Sequence, residues 1–261
     1  MITLTTDFGL NDTFVGVMKG VILSIAPSAK IVDLSHGLPQ QDIVAGALAL
    51  EESCAFFPDG TIHVAVVDPG VGSARTAVAL ETERAFFVGP DNGIFELVLT
   101  KDRLKRAVKL ENPRYWLPAV CATFHGRDIF APAAAHLANG VELSEFGPPC
   151  EKLVALNLHG PCEHGAQLKI HVLRADHFGN LITDLTHDVY AKWNPENTPL
   201  NFEFAHSSFM VPVSSTFSDV PEGSPVAYFG SGGRLEIGIR NGNAAAFFKA
   251  GKGFSITVGK V

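Results

Sequence analysis

The chain lacks the marks of several large classes of protein. It has no basic stripe: 20 Lys and Arg stand against 27 Asp and Glu, a formal net charge of -7 over 261 residues. Proteins that hold nucleic acid display a basic face, so no nucleic-acid partner is expected. The densest basic run, 101–109 (KDRLKRAVK), is short and reads as a solvated surface. Cysteine is scarce. Cys54, Cys121, Cys150 and Cys162 form no CxxC pair and no zinc-finger spacing, so reduced thiols are expected rather than a disulfide or zinc framework. No apolar run approaches the length of a membrane span, and the start, MITLTTDF, has neither a basic segment nor an apolar one. A cytoplasmic protein with no membrane partner is expected. GxGxxG, a Walker lysine and GxSxG are all missing. Asp7-Phe8-Gly9 stands without the rest of the kinase set, so it carries no kinase signal.

What is present is an ordinary globular composition, 46% hydrophobic and 18% charged with 25 Gly and 16 Pro, long enough for one large domain or two modest ones. The first half alternates. Strand-like runs at 2–6, 31–34 and 61–67 are separated by helical spacing at 14–26 and 42–57, with Asp42 as a cap. Residues 76–80 and 85–88 pair as a hairpin; 94–99 and 128–138 read as helices. This predicts a parallel α/β sheet, in which ligands sit at the carboxyl ends of strands. Asp7 and Asp68 each follow such a strand. After about residue 148 the pattern changes to period two, with short strands expected at 169–173, 201–204, 226–229, 235–239, 246–249 and 254–258. The expected architecture is an N-terminal α/β/α sandwich domain (1–155), a Gly/Pro/His-rich linker (156–165) and a smaller all-β barrel or sandwich (166–261).

Five segments are too polar and too rich in glycine to be mere connections: TTDFGLND (5–12), VDPGVGSAR (67–75), TFHGRD (123–128), DHFGN (176–180) and SGGRLEIGIRNGNA (231–244). Singly each has a plain alternative. Asp7 is a turn or cap residue, Asp68 before Pro69-Gly70 a turn aspartate, Arg75 a surface arginine and His125 a part-buried histidine. Asp7, Asp12 and Asp68 lack a fourth obvious ligand, so no metal is expected.

As an ordered set the five segments resemble the SAM hydroxide adenosyltransferases, relatives of the SAM-dependent fluorinase and chlorinase, over essentially the whole chain. The resemblance implies hydrolysis of S-adenosyl-L-methionine (SAM) to adenosine and L-methionine, with no cofactor beyond SAM as substrate. It implies that Asp68, Arg75 and His125 activate water, and that Asp7 holds the ribose hydroxyls. Phe178 and Asn180 would lie beside the adenine, with Asn243 and Ala244 at its edge, and Asp176 and Ser231 would hold the methionine ammonium and carboxylate. It further implies a homotrimer with sites shared between subunits. The chemistry is consistent: attack on the 5′ carbon expels a neutral thioether, so the need is to orient water and accept its proton. Asp68 and Gly126 stand where the halogenases resemble this chain less, having Tyr and Ser there. That favours water over halide. The alternatives are a halide-using adenosyltransferase and a non-catalytic adenosine or SAM sensor.

Overall fold

The computed structural model describes residues 1–156, 158, 160–205, 207–211 and 213–261. The chain divides into two compact units, Met1–Asn157 and Leu158–Val261.

In the first unit, β1 (Ile2–Thr6) lies between β2 (Ile31–Ser35) and β3 (Thr61–Val66), parallel to both. All five side chains of β1 are buried. Its two aliphatic members, Ile2 and Leu4, each contribute roughly 1.5–3 kcal/mol by leaving water. β4 (Ala77–Thr82) and β5 (Ala85–Pro90) form the expected hairpin, and β6 (Leu104–Lys109) pairs antiparallel with β4. The order is β2-β1-β3-β5-β4-β6, with β5 parallel to β3. The charged run read as solvated surface is thus an edge strand. Leu104, Lys105 and Arg106 are exposed, while Ala107 and Val108 face the core.

Side chains alternate across this sheet and build two cores. Ile62, Val64 and Val66 pack with α1 (Phe14–Ile25) and α4 (Ala131–Ala138). Ala65 and Val67 pack on the other face with α2 (Ile43–Ser53) and α3 (Glu96–Leu99). Helices therefore cover both faces of a mostly parallel sheet, the α/β/α sandwich expected. Asp42 caps α2 by accepting from Ala45 N–H at 2.9 Å. The helix expected at 128–138 is entered through a π-helical turn, Gly126–Phe130, so one wide turn precedes α4.

The second unit is one curled nine-stranded sheet around a single core. Its strands are β7 (Cys162–His164), β8 (Gln167–Ala175), β9 (Leu181–Thr186), β10 (Leu200–Phe204), β11 (Ser207–Val211), β12 (Val213–Ser214), β13 (Pro225–Phe229), β14 (Arg234–Ile239) and β15 (Ser255–Lys260). The order is β11-β10-β15-β8-β9-β14-β13-β12, with β7 on β8. Among the described residues two α-helices interrupt it, α5 (His187–Trp193) and α6 (Ala244–Phe248).

Two expectations are corrected here. Residues 246–249 do not form a strand: Ala244–Phe248 is helical, Asn243 caps it by accepting from Ala246 N–H at 2.8 Å, and Lys249 ends it at φ 50°. A capped run of three alanines favours helix locally, which outweighs an apparent alternation only four residues long. Cys162–His164, inside the stretch read as a linker, is a strand paired with β8. Residues 157 and 159 of that stretch lie outside the described residues.

Candidate functional site

Three loops of the first unit converge at the carboxyl end of its sheet. β1 and β3 are neighbours in register, Thr6 opposite Val66. Asp7 and Asp68 therefore leave adjacent strands, whose spacing is about 4.8 Å. The third loop brings His125, immediately before the π-helical turn. π-turns tend to occur at functional sites because they re-aim the side chains beside them.

Arg75 joins two of these loops. Its Nε lies 3.0 Å from both carboxylate oxygens of Asp68, and its Nη2 makes a further short contact to Asp68 Oδ2. The same Nη2 lies 2.8 Å from His125 Nδ1. The pair is largely shielded from solvent, with side-chain exposures of 10% for Arg75 and 5% for Asp68. The guanidinium also sits 5.2 Å above the ring of Phe130. Gly72 (φ 76°) lets the two loops touch: a Cβ there would come within 2.4 Å of the Ala122 carbonyl oxygen.

A guanidinium only donates, so Nδ1 of His125 accepts and the ring hydrogen sits on Nε2. Burial, and then the positive charge of Arg75, hold His125 below the usual imidazole range, while Asp68 and Asp128 oppose the shift. His125 is therefore neutral at pH 7. Its acceptor nitrogen is thus already engaged, and the nitrogen that remains is a donor. Asp68 is left as the group that can accept a proton.

Asp7 accepts from Gln41 N–H at 2.7 Å, and Gln41 itself lies in the left-handed region at φ 61°. The Asp7 and His125 loops touch through Phe8 and Phe124, whose ring centroids are 5.8 Å apart, with Phe14 5.2 Å from Phe124. This aromatic trio was not singled out in the sequence; its members are dispersed, and phenylalanine is abundant. A Cβ at Gly126 would meet Met18 Sδ and Phe124 at 3.3 Å and Phe8 at 3.4 Å, so that position faces apolar packing. Asp128, also passed over, is fully buried and accepts from Cys121 N–H at 2.7 Å and from Arg127. The last residue of TFHGRD thus fixes the chain that leads to His125.

In the second unit, Phe178, Asn180 and Asn243 line an open recess of about 680 Å³, and Asp176 is bonded to Asn180. The recess is also lined by Ile239 and Asn241, within the 231–244 segment, and by Phe217, which the sequence did not mark. Asp176 organises the loop: Oδ1 accepts from Phe178 N–H (2.9 Å) and Asn180 N–H (2.8 Å), and Oδ2 accepts from Asn180 Nδ2 (2.8 Å). Gly179 (φ 87°) abuts the Asn243 carboxamide, which would lie 2.2–2.4 Å from any Cβ there. Its carbonyl accepts from Ala245 N–H at 2.9 Å. Phe178 is 73% exposed, an open ring face. Ala244 is fully buried as the first residue of α6. Ser231 is exposed in the turn between β13 and β14. Among the described residues no group of three His, Cys, Asp or Glu side chains is arranged to hold a metal ion. No described helix is long and apolar enough to cross a membrane.

Comparison with known proteins places these features in context. A family model described as the SAM hydroxide adenosyltransferase N-terminal domain matches residues 2–147, and its C-terminal counterpart matches 170–257. A curated (R)-S-adenosyl-L-methionine hydrolase of Thermus thermophilus is 44% identical over 92% of this chain and 91% of its own. A fluorinase of an Actinoplanes species is 28% identical over 100% of this chain and 97% of its own. The solved structure of a Thermotoga maritima protein superposes with a TM-score of 0.93 at 32% identity and covers 100% of both chains.

Proposed function

Because the chain belongs to the SAM hydroxide adenosyltransferase family, matched in both of its domains, we propose that it hydrolyses SAM to adenosine and L-methionine. The observation that carries this is the shielded Asp68–Arg75–His125 network.

In this reading a water molecule sits between Asp68 and His125. It accepts from His125 Nε2–H and donates to the Asp68 carboxylate. As its oxygen attacks the ribose 5′ carbon opposite sulfur, the C–S bond breaks and methionine leaves as a neutral thioether. The water proton passes to Asp68. Arg75 holds both partners and is not itself consumed. Fixing the nucleophile in line can supply up to roughly 7–11 kcal/mol of the barrier reduction. Because the leaving group needs no charge stabilisation, no cofactor or metal enters the scheme. Asp7 clamps the ribose diol, its carboxylate accepting two hydrogen bonds. Phe178 offers a face to the adenine, with Asn180, Asn243 and the Ala244 main chain at its edges. Asp176, through its remaining Oδ2 lone pair, and Ser231 take the methionine end.

Asp68 also selects the nucleophile. A halide beside the Asp68 carboxylate meets like charge; at an effective dielectric near 20, two such charges about 4 Å apart repel by roughly 4 kcal/mol before the opposing charge of Arg75 is counted. Since position 126 opens into apolar packing, Asp68 alone then disfavours halide.

We further propose a cytoplasmic homotrimer in which neighbouring subunits complete one another's sites, since the candidate residues are divided between the two units. Light scattering on an active sample tests this, and an active monomer would refute it. The reaction is tested by incubating pure protein with SAM and excess chelator, with and without molar chloride, and separating the nucleosides. Adenosine and methionine are expected in every arm. Activity that vanishes with chelator and returns with a divalent ion would refute the metal-free scheme. A 5′-halo-5′-deoxyadenosine as main product would replace hydrolysis by halogenation.

A further inference from the structure

We propose that His36 is a positioning residue for the ribose-binding loop, acting on Asp7 through the hydroxyl of Thr6. The inference rests on the reading of Asp7 as the ribose clamp.

His36 follows β2, and its side chain is 2% exposed. Nε2 stands 3.0 Å from Asp33 Oδ1, off the line of a good hydrogen bond. Asp33 is held in turn by Lys19 Nζ at 2.6 Å. On the other side of the ring, Nδ1 lies 2.8 Å from Thr6 Oγ1. A carboxylate only accepts, so the Nε2 beside it bears the hydrogen; in the tautomer with that single ring hydrogen, Nδ1 is an acceptor. The Thr6 hydroxyl therefore donates to Nδ1. That fixes the hydroxyl rotor and leaves an oxygen lone pair for Phe8 N–H, 3.2 Å away. Thr6 and Phe8 flank Asp7, so this bond closes a turn across the carboxylate. Threonine hydroxyls close such turns weakly when free to rotate. Here the rotor is set by a buried imidazole whose far side is anchored at the surface.

The side chain can be tested apart from the fold. The loop is also tied by Gly9 N–H donating to the His36 carbonyl at 2.8 Å, a main-chain bond that any substitution at position 36 retains. Nothing in the hydrolytic scheme calls on His36 to touch substrate; its effect is confined to where the Asp7 carboxylate points.

Calorimetric titration of the full chain with adenosine and with 2′,3′-dideoxyadenosine measures the preference for the ribose diol. Asp7→Ala is expected to abolish that preference. His36→Phe, which keeps a ring and removes both nitrogens, is expected to narrow it about fivefold, the size of one lost hydrogen bond. Thr6→Val should do the same from the other end of the contact, and serves if His36→Phe does not fold. His36→Asn, whose carboxamide stands where Nδ1 stood, should keep the wild-type preference. A purely structural role would weaken both nucleosides equally, and that result overturns the proposal. So does a preference left unchanged by His36→Phe and Thr6→Val, or one narrowed as much by His36→Asn. If Asp7→Ala keeps the preference, the ribose-clamp reading itself fails and the inference falls with it.

Discussion

The two units hold their polar clusters by different means. In the first, charged groups face one another: Asp68 and Arg75 are ion-paired with little solvent access, and His125 is joined to a guanidinium nitrogen that also contacts Asp68. In the second, one carboxylate is spent on main-chain and amide donors of its own loop, and the recess beside it presents carboxamides and the exposed ring of Phe178. On the proposed function the difference follows the chemistry each faces. Fixed charges are worth most where charge moves during a reaction. A neutral purine is recognised by ring faces and a few placed polar groups. On the proposed reading the Asp68 cluster of the first unit governs turnover, and the recess of the second unit joins Asp7 in governing affinity.

The contrast can be broken most severely at Arg75. Arg75→Met leaves Asp68 shielded from water without its partner, and should lower unfolding stability by roughly 3–5 kcal/mol in denaturant titrations. Asn243→Ala, in the second unit, should cost only about 1 kcal/mol, the value of a helix cap. Next in size is catalysis. Asp68→Ala and His125→Ala should each cut the rate about 100-fold or more, in single-turnover assays, with adenosine affinity nearly kept. Near-wild-type rates for both would remove the triad from the mechanism. Phe178→Ala should do the reverse, weakening adenosine by roughly 1–3 kcal/mol of stacking while the rate at saturating SAM holds. The smallest effect is on pH. His125 accepts from Arg75 only while Nδ1 is unprotonated, and its folded value is depressed. Activity should therefore survive acidification through the ordinary imidazole value of 6.5 and be lost only below it. An acid limb of kcat/KM centred above 6.5 would contradict the neutral, Arg75-bound ring.

Much of this was legible in the sequence where local pattern and tertiary role agree. β1 is a β-rich run and β3 an apolar one, each leading into an aspartate, and the hairpin 77–90 is two strand-like segments about a short turn. α6 was misread because five residues are too few to display a period, while its cap and alanines decide the outcome. β9 was passed over because LITDLT buries even its aspartate: Asp184 accepts from His171 at 2.8 and 2.9 Å, a pairing no local pattern announces. The same holds within the site. The motif letters pointed to Asp68, Arg75 and His125, yet not to Arg75 occupying Nδ1, since hydrogen-bond direction across 50 residues is a property of the folded chain.

The spacing of the Asp7 and Asp68 loops is inherited from the hydrogen-bond ladder between β1 and β3 rather than from side chains in contact. Peptide geometry sets that rung, and it is the same for every sequence that forms the pair. The apolar residues beneath, such as Leu4 and Val64, are therefore free to drift among similar shapes over evolutionary time without moving the two carboxylates apart. A mutational scan should find tolerance there for other β-branched and aliphatic residues, and intolerance for proline, which alone removes a rung.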